Sequence, residues 1–314
     1  MSNSGALSSA LSSSAQDIVL ENGTYDNAAY FVNSAGHRLY ARTLGGAVLR
    51  AGLVMGGNWG PGQGLVQGIA FDVTDRAKTI GGWGDIIHIW GTGVGSRVLD
   101  TTFDGHGVMR AAVMGSQSDG LVIQRVRAGG FTDYGVLADG SPGAVTPVLF
   151  EDLNVWGVTR QVPRSANGTA EACIWLGNPG TLRRALVRDC AWMGVWIGED
   201  SRNALIEHLD IDGTPVGIYP EHYSWGAVIQ YFRIGPAVER GINCEWNDPA
   251  TGGLPACADV TIQDGTIDST LLGVALNPGT TRTTVRRVTF RSQSKAAIGD
   301  NGPDNAYYDN DYPR

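Results

Sequence analysis

The sequence predicts an all-β solenoid, a parallel β-helix of about ten to twelve rungs with a short capping helix at its N-terminal end. Three observations carry that expectation. A glycine-led motif recurs, as Gly194-Val195-Trp196-Ile197-Gly198-Glu199, Gly217-Ile218-Tyr219-Pro220-Glu221-His222 and Gly241-Ile242-Asn243-Cys244-Glu245-Trp246, with leading glycines 23 and 24 residues apart. Such a fixed interval marks stacked copies of one unit. Within each copy the residues alternate in facing, the period of a strand with one buried side. Finally, 45 glycines with only 17% charged residues suit short strands joined by tight turns, not long surface helices.

Taken in order, Ser4 to Ala15 carries Leu7 and Leu11 four apart among Ser and Ala, the spacing of a short amphipathic helix that covers the open first rung. A strand follows at Asp17-Ile18-Val19-Leu20, then Asn22-Gly23 and Thr24-Tyr25. Residues 29–92 continue as short apolar runs broken by glycine, ending in Asp85-Ile86-Ile87-His88-Ile89-Trp90. Beyond them the glycine-led register is readable at Ala111-Ala112-Val113-Met114-Gly115, Gly135-Val136-Leu137-Ala138-Asp139 and Cys173-Ile174-Trp175-Leu176-Gly177. It resumes after the three motifs at Gly273-Val274-Ala275-Leu276-Asn277 and Ala297-Ile298-Gly299-Asp300-Asn301. Two long intervals mark inserted loops at 157–171 and 246–257.

A second strand precedes several of these, with inward residues at the first, fourth and sixth places. Examples are Val187/Cys190/Trp192, Ile206/Leu209/Ile211, Ile229/Phe232/Ile234, Ile262/Gly265/Ile267 and Val285/Val288/Phe290. A β-propeller would show a longer regular period, which is absent, and more hairpin turns of the Asn-Gly or Asp-Gly kind. The chain reads as one domain over 1–314, with a polar tail at 302–314.

The capping segment, Gly23-Thr24-Tyr25 and the register from Ala111 to Asn301 together resemble the pectin-lyase-like right-handed β-helix superfamily. That resemblance implies a right-handed coil and a glycan-facing outer sheet, as in polysaccharide lyases, polygalacturonase-like hydrolases, uronan epimerases and phage depolymerases. The chain lacks the polygalacturonase pattern of an Asp-Asp pair with downstream Gly-His-Gly and Arg-x-Lys. Tyr219-Pro220-Glu221-His222 resembles the Tyr/Asp/His cluster of alginate epimerases, with a different acid and spacing. The reaction is therefore left undecided.

A formal charge of −8 argues against nucleic acid or an anionic membrane as main partner, and no apolar run is long enough for a membrane span. The first 16 residues lack the basic and apolar regions of a signal peptide, so the chain is expected to be cytoplasmic, or extracellular after removal of a leader. Of four cysteines, Cys244 and Cys257 flank a loop rich in Pro, Gly and Asp that a disulfide would close; four buried thiols is the other reading.

Carrying the alternation along the chain gives an outward column His88, Val113, Leu137, Trp175, Trp196, Tyr219, Asn243, Ala275. Beside it runs Trp90, Gly115, Asp139, Gly177, Gly198, Glu221, Glu245, Asn277, Asn301. Neighbours within a column lie about 5 Å apart. Trp175, Trp196 and Tyr219 are thus expected to form an exposed aromatic ladder, a platform for sugar rings, unless the loop at 157–171 covers it. Glu221 and Glu245 follow side by side, with His222, Trp246 and Asp248 close in sequence.

Like charges so close raise one pKa and keep an acid protonated, as an acid pair for glycoside hydrolysis needs. Alternatively Glu221, Glu245 and Asp248 offer hard oxygen ligands to Ca²⁺, or the two Glu side chains are simply solvated. Arg160 and Arg164 on the inserted loop would pair with a uronate carboxylate, or stay solvated. Two functions remain open: a polysaccharide hydrolase or lyase with Glu221, Glu245 and His222 as reacting groups, and a non-catalytic glycan-binding, adhesin or surface-structural β-helix. The oligomeric state is not legible.

Overall fold

The computed structural model describes residues 4–312 apart from 15, 57–63, 91–94, 117–118, 140–145, 160–170, 178, 199–200, 223, 238, 245–255 and 270. Its contacts gather into two compact units, Met1–Gln161 and Val162–Arg314. No helix among the described residues is long and apolar enough to cross a membrane.

The first unit opens with the helix Ser4–Leu11, which buries Leu7 and Leu11. The Leu11 carbonyl accepts from His37 Nε2 at 2.9 Å, so a ring N–H satisfies one of the helix's last carbonyls. The chain then winds in parallel turns. Asp17–Leu20 pairs with Arg38–Ala41, Gly23–Tyr25 with Ala47–Leu49, and Phe31–Asn33 with Leu53–Gly56. The third side of the coil continues through Asp85–Trp90, Ala111–Ser116 and Tyr134–Asp139. Inward residues stack from rung to rung, as in Phe71 over Phe103 with ring centroids 5.1 Å apart. Such stacking of inward apolar side chains along the coil is where the stability resides.

In the second unit one parallel sheet contains Ala172–Leu176, Met193–Ile197, Val216–Pro220, Arg240–Cys244, Leu272–Leu276 and Ala296–Asp300. The other contains Gly180–Arg188, Leu205–Asp212, Val228–Ala237, Thr261–Ser269, Thr284–Arg291 and Ala306–Tyr308. These longer strands bend in the middle. Arg184, His208, Tyr231, Asp264 and Arg287, one in each of the first five strands and in register, all have positive φ of 52–55°. For a non-glycine residue that conformation costs about 1–2 kcal/mol. Neighbouring bends offset part of it through their side chains: His208 stacks on Tyr231 at 5.0 Å, and Arg287 Nε donates to Asp264 at 2.6 Å.

The recurring leading glycines have a steric cause. A Cβ on Gly217 would lie 2.5 Å from the Gly241 carbonyl oxygen and 2.6 Å from Ile234 Cγ2. Gly194 faces Gly217 and Ile211 in the same way, so each glycine is the seat of the next rung's backbone and of an inward isoleucine.

Three expectations are corrected. His88 aligns with Met114, not Val113, and Trp90 with Ser116, not Gly115. Val113 is fully buried, so that strand slips by one residue against the reading from its leading alanine. In the bent sheet the partners of Ile206, Leu209 and Ile211 are Leu182, Ala185 and Val187, not Val187/Cys190/Trp192. Leu and Ala at those places hid the match.

The third correction concerns the cysteines. Cys173 and Cys190 form a disulfide, with Cα atoms 5.8 Å apart, well within bridging range. Cys244 and Cys257 are buried free thiols. They sit in hydrogen-bond contact, and that contact together with burial pushes the Cys244 thiol well above its ordinary pKa, so it stays protonated.

Candidate functional site

The expected outward column is present in the second unit. Trp175 pairs with Trp196, and Trp196 with Tyr219. Ile218 pairs with Ile242, which sets Tyr219 beside Asn243, and Asn243 pairs with Ala275. The rings of Trp175 and Trp196 are stacked, with centroids 4.6 Å apart and planes 10° from parallel. Tyr219 meets Trp196 edge-on at 6.4 Å. Gly198 is required here, because the Trp175 indole occupies the place its Cβ would take.

Burial changes what the ladder offers. Trp196 is only 8% exposed, enclosed between two protein rings, whereas Trp175 and Tyr219 are half-buried. An open three-ring platform is therefore not what forms. Trp196 instead acts through its edge: its Nε1–H donates to Glu221 Oε2 at 2.9 Å.

Glu221 is positioned from both sides. Its own N–H donates to the Ile197 carbonyl at 2.9 Å, carrying the parallel ladder one residue past Pro220. Its second oxygen, Oε1, lies 3.6 Å from His222 Nε2. Both side chains are mostly enclosed, at 16% and 12% exposure for Glu221 and His222. The result is a carboxylate with one oxygen fixed by a neutral donor and the other facing an imidazole. A group so placed can exchange a proton with that imidazole or with a ligand.

Asn243 is buried, and its Oδ1 accepts from Arg240 Nη1 at 3.0 Å and Asn277 Nδ2 at 2.9 Å. Its amide oxygen is thus engaged by the protein. Glu245, Trp246, Asp248, Arg160 and Arg164 lie outside the described residues. Among the described residues no three His, Cys, Asp or Glu side chains converge on a point that would hold a metal ion.

No protein family and no curated protein matches the sequence. Solved structures do match. The catalytic domain of a GH87 α-1,3-glucanase in complex with nigerose superposes with a TM-score of 0.65 at 12% identity over 98% of this chain. A PL6 alginate lyase in complex with a trisaccharide gives 0.62 at 13% identity, over 98% of this chain and 82% of its own. The A-module of the mannuronan C-5 epimerase AlgE4 from Azotobacter vinelandii gives 0.56 at 14% identity, over 97% and 94%. The chain has the right-handed parallel β-helix fold. It spans 66% of the glucanase catalytic domain's length.

The β-helix also carries a cluster in its first unit that sequence reasoning did not assign. Asp85, at the start of Asp85–Trp90, is fully buried and accepts from Arg110 Nε at 2.8 Å and Arg110 Nη2 at 2.7 Å. His88 Nδ1 lies 3.0 Å from Asp85 Oδ2. Burial raises the Asp85 pKa, but hydrogen bonds from His88 and Arg110 and the Arg110 charge outweigh it, and Asp85 is held below the usual carboxylate range. Residues three apart on a strand face opposite ways, so the pattern Asp85-x-x-His88 gave no reason to pair them.

Proposed function

We propose that this β-helix acts on a polysaccharide, with Glu221 as the reacting carboxylate, His222 as its proton partner, and the exposed parts of Trp175 and Tyr219 as the surface against which a sugar ring lies. The observation that supports this most is the Trp196 Nε1–Glu221 Oε2 hydrogen bond, which fixes a carboxylate at the edge of an aromatic stack. An indole face packs on the C–H face of a pyranose, and a carboxylate at its rim then meets the glycosidic oxygen or a ring hydrogen. As a hydrolase, the protonated acid gives its proton to the leaving glycosidic oxygen, with Glu245 as the second carboxylate. As a lyase, the ionised group takes the proton next to a uronate carboxyl, whose charge Arg160 or Arg164 would pair with. The glucanase, lyase and epimerase sharing the fold support a glycan as the substrate class.

A non-catalytic glycan binder using the same face is the second reading, favoured by the enclosure of Trp196 and Glu221. A polysaccharide panel including alginate and α-1,3-glucan separates the two, read for binding, for new reducing ends and for ultraviolet-absorbing unsaturated products. Turnover supports the enzyme; binding without turnover of any glycan supports the binder; neither overturns both. If Glu221, Glu245 and Asp248 hold Ca²⁺ instead, EDTA abolishes whichever of these is seen and added Ca²⁺ restores it.

A further inference from the structure

The first unit carries an aromatic cluster that the Glu221 site does not use. Three rings meet there in a triangle: Trp83 and His88 have centroids 5.5 Å apart, Trp83 and Trp90 5.9 Å, and His88 and Trp90 4.8 Å. Trp83 and Trp90 are large and exposed, at 45% and 43%. His88, by contrast, is 2% exposed, and its Nε2 is buried with no hydrogen-bond partner among the described residues. Two costs thus coincide at one spot, since exposed indoles and an unsatisfied buried nitrogen both disfavour the bare surface. A ligand that stacks on the indoles and hydrogen-bonds Nε2 relieves both.

The chemistry of that ligand follows from the group behind the histidine. Asp85 is an ionised acceptor, clamped by two of the guanidinium nitrogens of Arg110, Nε and Nη2, so the hydrogen on Nδ1 points to Asp85. In the neutral imidazole Nε2 is then the acceptor, and its partner must be a donor. A hydroxyl on a ring with an apolar face meets both requirements. The two indoles, with planes 71° apart, form a corner of floor and wall rather than a slot for a flat base between parallel rings. The net charge of −8 likewise disfavours a nucleotide.

We propose that Trp83, Trp90 and His88 form a second sugar-binding site, which takes one hydroxylated pyranose unit of a glycan: the indoles stack on the ring, and His88 Nε2 accepts from a hydroxyl when one exposed indole swings aside. Asp85 and Arg110 are positioning residues that hold the imidazole tautomer. This rests on the glycan reading of the protein, but not on catalysis at Glu221.

The test uses the full chain labelled with ¹⁵N at its nine tryptophans. The Trp83, Trp90 and Trp175 indole N–H signals are assigned by their loss in Trp83→Phe, Trp90→Phe and Trp175→Phe. Alginate oligosaccharides and α-1,3-gluco-oligosaccharides are titrated in, with adenosine as the base-stacking control. The Trp83 and Trp90 signals are expected to move with a sugar and not with adenosine, and to move still in the Trp175→Phe protein. His88→Phe keeps a ring but removes the acceptor, and weakens the Kd read at Trp83 about tenfold. Should that buried substitution unfold the chain, Trp90→Ala, at an exposed position, is expected to weaken the Kd at Trp83 at least as much. Sugar-induced shifts at Trp175 with Trp83 and Trp90 unmoved overturn the second site and leave the Glu221 reading standing. Equal response to adenosine overturns it as well. No shift at any indole overturns both.

Discussion

At the scale of single residues, the strongest local feature is an indole N–H that fixes a carboxylate. Trp196→Phe keeps the ring between Trp175 and Tyr219 but removes the donor to Glu221 Oε2. Losing a hydrogen bond to a charged group costs about 1–3 kcal/mol. We expect urea unfolding of that variant to show a loss in this range, with turnover falling more than binding. The pair at Asp85 makes a separate prediction. Its folded pKa is depressed, so its contribution is present above the unfolded value of about 3.9 and is lost as pH falls from there through the folded value. Asp85→Asn leaves the Arg110 guanidinium without its anion, at a cost of about 3–5 kcal/mol at neutral pH. Melting temperatures of wild type and variant should converge as pH drops below 4 and separate above it; parallel curves would show that Asp85 adds no linked stability. Glu221 and His222 were legible in the sequence as neighbours at a strand end. Trp196 as the donor was not, because the bond runs diagonally between two outward columns.

At the scale of elements, the repeat was visible because it has a steric origin. Each leading glycine lies against the carbonyl of the next rung, so period and residue type are set together. Gly217→Ala is expected to lower stability by about 1–3 kcal/mol through overpacking, seen as a lower midpoint in urea with an unchanged slope. An alanine tolerated there without loss would mean that the rung spacing is softer than the 2.5 Å approach implies. The register failed where the marker was absent. The strand Ala111–Ser116 offers Ala, Ala and Val in sequence, all small or branched and all buried, so nothing in it distinguishes inside from outside. Likewise Leu182, Ala185 and Val187 lack the isoleucines that mark their neighbours Ile206 and Ile211. The bends at His208 and Tyr231 were not legible either, since positive φ at such residues is repaid only by stacking on the next rung.

At the scale of the whole molecule, parallel pairing and the N-terminal helix follow from periodicity alone, whereas the covalent link does not. Loop composition pointed to Cys244 and Cys257, but sequence separation carries no information on which Cα atoms a coil brings together. The Cys173–Cys190 bridge closes a loop of sequence separation 17, and its removal by a Cys173→Ser/Cys190→Ser double substitution should cost about 3 kcal/mol. Peptide mapping without reductant is expected to find that one cross-link, with Cys244 and Cys257 alkylated only after unfolding. A Cys244–Cys257 cross-link in the native protein would contradict it.

The central claim, that a glycan reacts at Glu221, is tested most directly by the turnover of Glu221→Gln against wild type, on whichever polysaccharide the panel selects. Amide for carboxylate preserves shape and an acceptor for Trp196 while removing proton transfer. We predict that kcat falls by at least about a hundredfold, the usual contribution of a positioned acid or base, with Kd and melting temperature little changed. A variant that turns over at the wild-type rate would contradict it.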